Sequence, residues 1–276
     1  MKTRILTAAV LLAIFVPILW FSHLVVYPIA MAILAGVAVF ELLRCLGLHR
    51  DLPVSVVAIA LAAGLTLLAR FAAGAQAYLG ILAVAFFVFI LYLFAVTVLR
   101  AGALRYGSLM GVAGGTFYLT LAFSSMVLLR DLPNGVFLFL LPFVGSWVTD
   151  TFAYFTGRLV GRHKLSPVIS PKKTVEGSIG GILFAVGAFA AYGAIVATRG
   201  GVPRYPALLL CGLVVSVVSQ IGDLALSAIK REQGIKDYGK LFPGHGGVLD
   251  RFDSVIATAP LILLFSLLGS GFSLFY

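Results

Sequence analysis

Charged residues are scarce in this chain, and their scarcity excludes an ordinary soluble domain. Only 11% of the 276 residues are Asp, Glu, Lys or Arg, whereas 61% are hydrophobic. A soluble globular domain carries about 25% charged residues. The hydrophobic residues also fall in long runs, which is typical of proteins whose solvent is the lipid bilayer.

Cysteine is nearly absent as well, with only Cys45 and Cys211. They form no CxxC pair, and the predicted topology places them at different membrane depths, so we expect neither a disulfide nor a metal site there.

The N-terminal stretch is basic and then apolar, as in a signal peptide, but it lacks a small-residue cleavage pattern. We therefore predict a retained first helix.

Nine runs of about 20 apolar residues are each long enough to cross the hydrocarbon core as a helix. The predicted spans are 5–21, 24–46, 54–71, 76–99, 108–129, 135–157, 176–198, 205–230 and 253–275. Proline falls inside spans at Pro28, Pro142 and Pro260, which neighbouring helices accommodate in a membrane. The predicted fold class is therefore all-α, a polytopic integral membrane protein with about nine transmembrane helices.

Basic residues decide the orientation, because Lys and Arg concentrate in cytoplasmic loops. Nine spans place the N-terminus and the loops after the second, fourth, sixth and eighth spans on one side. Of the 20 Lys and Arg residues, the other side keeps only Arg70, Arg130, Arg199 and Arg204. We therefore predict a cytoplasmic N-terminus, and topology rather than nucleic-acid binding explains the net charge of +10.

Two long polar loops separate a catalytic part of the chain from a scaffold. These loops, 157–176 and 230–253, are dense in Lys, Arg, Asp, His, Gly and Pro. We predict that residues 1–134 form a helical scaffold with lipid and dimer contacts. Residues 135–276 are predicted to form the catalytic transmembrane region that carries both loops.

Acidic residues number only ten, so those inside predicted spans are informative. Asp150 and Asp223 are two such residues, and a carboxylate at membrane depth is costly unless it faces a polar cavity or a partner. A polar stripe follows one helix face at three- and four-residue intervals, through Ser216, Ser219, Asp223, Ser227 and Lys230. An interhelical hydrogen bond or ion pair is the alternative, but Lys230 at the end of the stripe favours a site open to the cytoplasm. Glu41, near a helix end, is interpreted as a side chain that reaches the interface.

The loop 230–253 has the composition of a nucleoside triphosphate site. Its lysines and arginines offset phosphate charge, and Gly244, Gly246 and Gly247 allow backbone N–H groups to approach phosphate oxygens. Asp250 and Asp253 offer oxygen ligands for Mg²⁺, which typically joins one or two carboxylates to substrate phosphates.

The loop 157–176 is a second candidate anion site. Ser170 and Thr174 stand just before the next helix, whose free N–H groups and dipole favour an anion. Lys172 and Lys173 add positive charge. An ordinary positive-inside loop with a helix cap is the alternative, which two Ser-Pro turns disfavour.

The segment from Ser227 to Asp253 resembles the motif of the phosphatidate cytidylyltransferase family, S-x-x-K-R-x₄-K-D-x₅-P-G-H-G-G-x-x-D-R-x-D. All motif positions are filled, by Ser227, Lys230, Arg231, Lys236, Asp237, Pro243, Gly244, His245, Gly246, Gly247, Asp250, Arg251 and Asp253. The stretch Ile-Ser-Pro-Lys-Lys-Thr-x-Glu-Gly at 169–177 is similar to the same family. The N-terminal half agrees with the family only in being hydrophobic helices.

The resemblance implies a membrane enzyme, usually dimeric, that transfers the cytidylyl group of CTP to phosphatidic acid with Mg²⁺ and a second cation such as K⁺. It implies metal-associated roles for Asp223 and Asp250, and Asp150 and Asp253 are secondary candidates. The catalytic candidates are Asp223, Asp250, Lys230 and Arg251. The substrate-binding candidates are Ser170, Lys172, Lys173, Thr174, Ser227, Arg231, Lys236, Asp237, His245, Gly246 and Gly247.

Two other functions stay open on the sequence alone. A CTP-dependent lipid kinase would use similar groups but attack the γ-phosphorus. A transporter would also contain buried carboxylates, although the internal repeats and interrupted helices typical of transporters are not found. Family likeness and compactness favour a bacterial inner membrane, with the active site on the cytoplasmic side and a homodimer as the expected assembly.

Overall fold

The computed structural model describes residues 2–100, 105–268 and 273–276. These residues form ten α-helices, a 3₁₀ turn at Ala69–Phe71 and a two-stranded sheet. The helices are α1 (Lys2–Trp20), α2 (Val26–Cys45), α3 (Leu52–Leu68), α4 (Ala75–Leu99), α5 (Tyr106–Asp131), α6 (Gly135–Leu138), α7 (Leu141–Val160), α8 (Val175–Thr198), α9 (Tyr205–Glu232) and α10 (Leu249–Leu267). The strands are β1 (Lys164–Ser166) and β2 (Ser170–Thr174).

Seven helical segments in the described part of the chain are long and apolar enough to cross a membrane. They are Val26–Cys45, Leu52–Phe71, Ala75–Leu99, Tyr106–Asp131, Gly135–Val160, Val175–Thr198 and Tyr205–Glu232. Each of them begins and ends within three residues of a predicted span. The prediction of a polytopic, helical membrane protein is therefore confirmed.

The first and last of the nine predicted spans are not among these seven. In α1 the apolar segment found among the described residues is Ala9–Trp20. In α10 the first five residues include Asp250, Arg251 and Asp253, which shortens the apolar part. Residues 269–272, near the end of the predicted span 253–275, lie outside the described residues. The count of nine and the cytoplasmic N-terminus stay predictions.

A proline breaks the helix that was predicted as continuous over 135–157. Pro142 lies in the first turn of α7, and the short helix α6 precedes it as a separate element. Proline lacks an N–H and its ring collides with the preceding turn, so it is tolerated where a helix begins rather than inside one. Asn134, with a left-handed φ of 59°, turns the chain immediately before α6.

The loop between α7 and α8 contains a β-hairpin that the sequence analysis did not predict. Strand β1 pairs antiparallel with β2, with Lys164 opposite Thr174 and Ser166 opposite Ser170. The fold is therefore nearly all-α rather than all-α. The hairpin carries Lys172 and Lys173 in β2.

The chain divides into two compact units, and the predicted scaffold 1–134 and catalytic region 135–276 stay predictions. The first unit contains Met1–Leu128 and Ile235–Arg251, and the second contains Leu129–Gly234 and Phe252–Tyr276. Most of the loop 230–253, the glycine-rich loop, belongs to the first unit. The hairpin and the helices α6 to α9 belong to the second.

Each unit contains buried hydroxyl groups that pair with one another, which offsets the cost of removing them from water. In the first, the hydroxyl of Tyr78 donates to Ser124 Oγ at 2.5 Å. In the second, Ser146 and Thr258 form a buried hydroxyl pair at 3.2 Å. Helix α7 packs against α8 and α9 in this second unit.

Glycine makes the close packing of α7 on α8 possible, and this contact supports a stability prediction. A Cβ on Gly180 would collide with Thr156, whose Cγ2 would lie 2.6 Å away, whereas a Cβ on Gly187 of the same helix would meet nothing within 4 Å. We expect Gly180→Ala to destabilise the protein by about 1–3 kcal/mol through overpacking. Gly187→Ala is the matched control and should leave stability unchanged or raise it, because alanine favours helix. Thermal unfolding in detergent measures both, and equal midpoints for the two variants would contradict the packing argument.

Candidate active site

Three aspartates meet in the second unit. Asp150 comes from α7, Asp223 from α9 and Asp253 from α10. They lie close enough for their charges to interact. Carboxylates gathered in a partly buried place repel one another unless cations compensate them. The cluster is therefore suited to hold positive charge.

Two lysines of the chain supply part of that charge. Lys173 Nζ lies 2.5 Å from Asp223 Oδ2. Lys230 is buried and lies close enough to Asp253 for their charges to attract. The hydroxyl of Ser227 donates to the other oxygen of Asp223, Oδ1, at 3.3 Å. The structure thus brings together six of the predicted site residues.

Ser254 is a member of this cluster that the sequence analysis missed. Its hydroxyl donates to Asp150 Oδ2 at 2.8 Å, and its backbone N–H donates to Asp253 Oδ1 at 2.9 Å. It therefore orients two of the three carboxylates. Its position directly after the final Asp of the family motif is the only signal in the sequence that points to it.

A cavity of about 270 Å³ opens beside the aspartates within the second unit. Its polar lining includes Asp150, Asp223, Lys172, Lys173, Thr174 and Gln220. Ammonium and carboxylate groups around one cavity can bind a phosphate together with its metal ion, since each group neutralises one part of the complex. Gln220 is a further lining residue that the sequence analysis did not select.

The start of α8 is capped, which is the alternative to the anion site that was predicted there. Thr174 Oγ accepts a hydrogen bond from the N–H of Gly177 at 3.1 Å. Glu176, in the first turn, accepts the N–H of Arg162 at 3.0 Å, and its Oε1 lies 2.6 Å from His163 Nδ1. These contacts attach the beginning of the loop to the helix that follows it. Ser170 opens β2 and does not line the cavity.

The polar stripe of α9 divides into a packing half and a site half. Ser216 and Ser219 are fully buried, and the hydroxyl of Ser216 donates to the carbonyl of Leu213 in its own helix. A Cβ on Gly222 would collide with Ala257 of α10, so the two helices approach closely there. The stripe takes part in the site only from Asp223 onward, where it faces lysines and the cavity.

Asp250 organises the glycine-rich loop inside the first unit. Its Oδ2 accepts the backbone N–H of Tyr238 at 2.8 Å, of Gly247 at 2.9 Å and of Gly239 at 3.4 Å. Three donors saturate this oxygen, which is therefore committed to the loop rather than to a metal ion. The side chain is 6% exposed.

The loop also closes on itself through a tight turn. The N–H of Phe242 donates to the carbonyl of Gly246 at 2.9 Å, and the N–H of His245 donates to the carbonyl of Phe242 at 2.8 Å. Gly244 and Gly246 have φ of 76° and 86°, which favour glycine. The N–H groups of His245 and Gly247 are thus used within the loop, where the sequence analysis expected glycine N–H groups to face phosphate.

The predicted site residues are shared between the two units. The second unit holds Asp150, Ser170, Lys172, Lys173, Thr174, Asp223, Ser227, Lys230, Arg231 and Asp253. The first holds Lys236, Asp237, His245, Gly246, Gly247, Asp250 and Arg251. The convergence of Asp223 and Asp250 on one metal ion stays a prediction.

The donor set of the second unit fits a hard divalent cation. Within residues 2–100, 105–268 and 273–276, no three His, Cys, Asp or Glu side chains form a ready-made metal cluster. Mg²⁺ does not require one, because it usually takes one or two carboxylates and completes its shell with water and substrate phosphates. Asp223 and Asp150, both on the cavity wall, can supply such oxygens.

Comparison with known proteins gives a consistent result. Residues 2–268 match the profile of the cytidylyltransferase family. A phosphatidate cytidylyltransferase of Staphylococcus epidermidis is 36% identical over 265 residues, which are 95% of this chain and 97% of that protein. One from Staphylococcus haemolyticus is 35% identical over 262 residues, with the same coverage of both chains.

A phosphatidate cytidylyltransferase of Brucella abortus is 47% identical over 156 residues, which are 55% of this chain. The matched stretch covers 56% of the length of the Brucella protein. The likeness is therefore higher over a shorter stretch in Brucella and lower, but nearly complete, in the staphylococcal proteins.

Proposed function

Because the chain belongs to the cytidylyltransferase family, we propose that it transfers the cytidylyl group of CTP to phosphatidic acid, giving CDP-diacylglycerol and pyrophosphate. The observation that carries the proposal is the match to a phosphatidate cytidylyltransferase over nearly the whole chain. The cavity that joins Asp150 and Asp223 to Lys172 and Lys173 supports it, because a triphosphate and its metal ion need both kinds of charge.

In the proposed reaction, an oxygen of the lipid phosphate attacks the α-phosphorus of CTP in line. A new P–O bond forms, the bond from the α-phosphorus to the bridging oxygen breaks, and pyrophosphate leaves. The nucleophile is already an anion, so no strong general base is needed. The barrier lies in bringing two polyanions together, which cationic side chains relieve by neutralising charge and fixing positions.

The residues of the cavity have distinct proposed roles. Lys172 and Lys173 bind phosphate oxygens, and Lys173 is held in place by Asp223 until the substrate arrives. Asp223 and Asp150 would hold Mg²⁺, and Asp253 with Lys230 completes the charge balance behind them. Bound Mg²⁺ would neutralise the triphosphate and make the α-phosphorus more electrophilic.

The first unit contributes further proposed substrate contacts from its loop. Lys236 and Arg251 are exposed cations that would bind phosphate, as the family motif implies, and His245 would shape the pocket. Asp250 keeps its proposed association with the metal site through the family motif alone. A K⁺ ion, a homodimer, a bacterial inner membrane and a cytoplasmic active site are parts of the same proposal.

The position of a radioactive label in the product tests this function. Purified protein is incubated with phosphatidic acid, Mg²⁺ and CTP that carries ³²P on either the α- or the γ-phosphate. We expect the α-label to enter the lipid and the γ-label to appear as pyrophosphate, because the α-phosphorus is attacked. Removing Mg²⁺ with EDTA should stop both.

The same assay distinguishes the competing functions. A lipid kinase would place the γ-label in lipid and leave the α-label in CDP. A transporter would place neither label in lipid, and either of these results would contradict the proposed transfer.

A further inference from the structure

Glu41 of α2 is buried against the glycine-rich loop, in contrast to the interfacial side chain predicted from the sequence. It is 3% exposed. Its Oε1 accepts the N–H of Val248 at 3.1 Å, and its Oε2 accepts the N–H of Leu249 at 2.9 Å. Leu249 is the first residue of α10, so the carboxylate caps N–H groups that have no partner within that helix.

Two glycines of the loop leave room for this carboxylate because they have no side chain. A Cβ on Gly247 would lie 2.5 Å from Oε2 of Glu41, and its three nearest atoms would all belong to Glu41. A Cβ on Gly239 would lie 2.8 Å from Cδ of Glu41 and would also collide with the Gly247 backbone. Both glycines are therefore required by the close approach of Glu41 and the loop backbone.

A second residue of α2 holds the same loop. Arg44 lies about one turn after Glu41 in α2. Its guanidinium donates a hydrogen bond to the carbonyl of Tyr238. Asp250 accepts hydrogen bonds from three further N–H groups of this loop. The backbone between residues 238 and 249 is therefore held by two carboxylates, Glu41 and Asp250, and by the guanidinium of Arg44. Its exposed side chains, such as Lys240, are left to face outward.

We infer that Glu41 is a positioning residue for nucleotidyl transfer, which fixes the backbone of the loop 238–249 so that its polar side chains meet CTP in one geometry. The inference rests on the proposed function. A buried carboxylate is a costly way to gain stability alone, since apolar packing serves as well or better. Its two oxygens, matched to two successive N–H groups, instead specify one conformation of the loop.

Kinetics with Glu41→Gln test the inference. The amide keeps the volume of the side chain but turns an N–H₂ group toward one of the two backbone donors. We expect kcat/KM for CTP to fall by about 10²-fold, the loss typical of a small displacement of catalytic groups. The concentration of phosphatidic acid that gives half of the maximal rate should change much less. Thermal unfolding in detergent should show that the variant is folded.

Limited proteolysis supplies a readout that does not depend on activity. Trypsin should cleave after Lys240 faster in Glu41→Gln than in the wild type, because the loop backbone has lost an anchor. A variant with wild-type cleavage, or with wild-type kinetics, overturns the positioning role. A wild-type protein that makes no CDP-diacylglycerol overturns the proposed function instead, and the proteolysis still tests Glu41.

A pair of glycine variants gives the sharpest control. In the wild-type background, Gly247→Ala should increase the rate of trypsin cleavage in the loop. In a Glu41→Ala background it should increase that rate little further, because the colliding carboxylate is gone. Gly246→Ala should expose it in both backgrounds, because φ is positive there and its Cβ would lie 2.7 Å from Asp250 Oδ2. If Gly247→Ala is equally harmful with and without Glu41, the inference is overturned.

Discussion

Replacing Asp223 by Asn is expected to lower CTP-dependent product formation by about two to three orders of magnitude or more, the range measured when one charge-stabilising group is removed from an active site. The substitution keeps the shape of the side chain. It removes the negative charge that lies 2.5 Å from Lys173 Nζ and on the wall of the cavity. The amide can neither compensate Lys173 nor serve as a good ligand for Mg²⁺.

Initial rates of α-label transfer from CTP to lipid measure this effect, together with thermal unfolding to establish that the variant folds. Asp51→Asn is the matched control, because Asp51 also forms an ion pair, with Arg100 at 2.6 Å, but has no role in the proposed site. We expect it to retain activity. Near-normal turnover in Asp223→Asn would contradict the proposed role of Asp223.

Replacing Asp250 by Ala is expected to have the second large effect, and it acts on the loop. Three buried N–H groups lose their common acceptor, and each unsatisfied donor costs about 1–3 kcal/mol. The loop should open and the rate should fall by at least about 10²-fold, since the polar groups it carries lose their positions. Trypsin cleavage after Lys240 and the α-label assay measure the two consequences separately.

Asp250→Asn then separates anchoring from a metal-associated role. The amide oxygen can still accept the N–H groups of Tyr238 and Gly247, so the loop should stay protected from trypsin. The family motif predicts that activity is nevertheless lost, because the negative charge is gone. An active and protected Asp250→Asn variant would show that anchoring is the whole role of this residue.

The membrane helices could be predicted closely because their signal is local. A run of about 20 apolar residues spans the hydrocarbon core whatever its neighbours are. The boundaries Leu52–Phe71 and Ala75–Leu99 therefore lie within two residues of the predicted 54–71 and 76–99. The hairpin of β1 and β2 carries no such signal, because two strands of three and five residues depend on pairing with each other and on the helices beside them.

Glu41 shows why part of the site could not be predicted. It lies 207 residues from Val248 in the sequence, and a single acidic residue near the end of an apolar helix has no local feature that distinguishes a cap from an interfacial side chain. Asp250 was recognised as important, but a carboxylate that accepts backbone N–H groups and one that binds a metal ion have the same sequence pattern. Ser254 acquires its role only because α7 and α10 pack together.

The amino-acid sequence by itself determined that this is a membrane protein. It also determined the positions of the apolar helices along the chain and the family motif, because hydrophobic length and motif spacing are properties of the chain alone. Tertiary structure decided which carboxylates share a cavity with Lys173 and which carboxylates, Glu41 and Asp250, hold the glycine-rich loop. That choice depends on distances between helices far apart in sequence, and a buried charge takes its function from whichever donor or cation the fold places within about 3 Å of it.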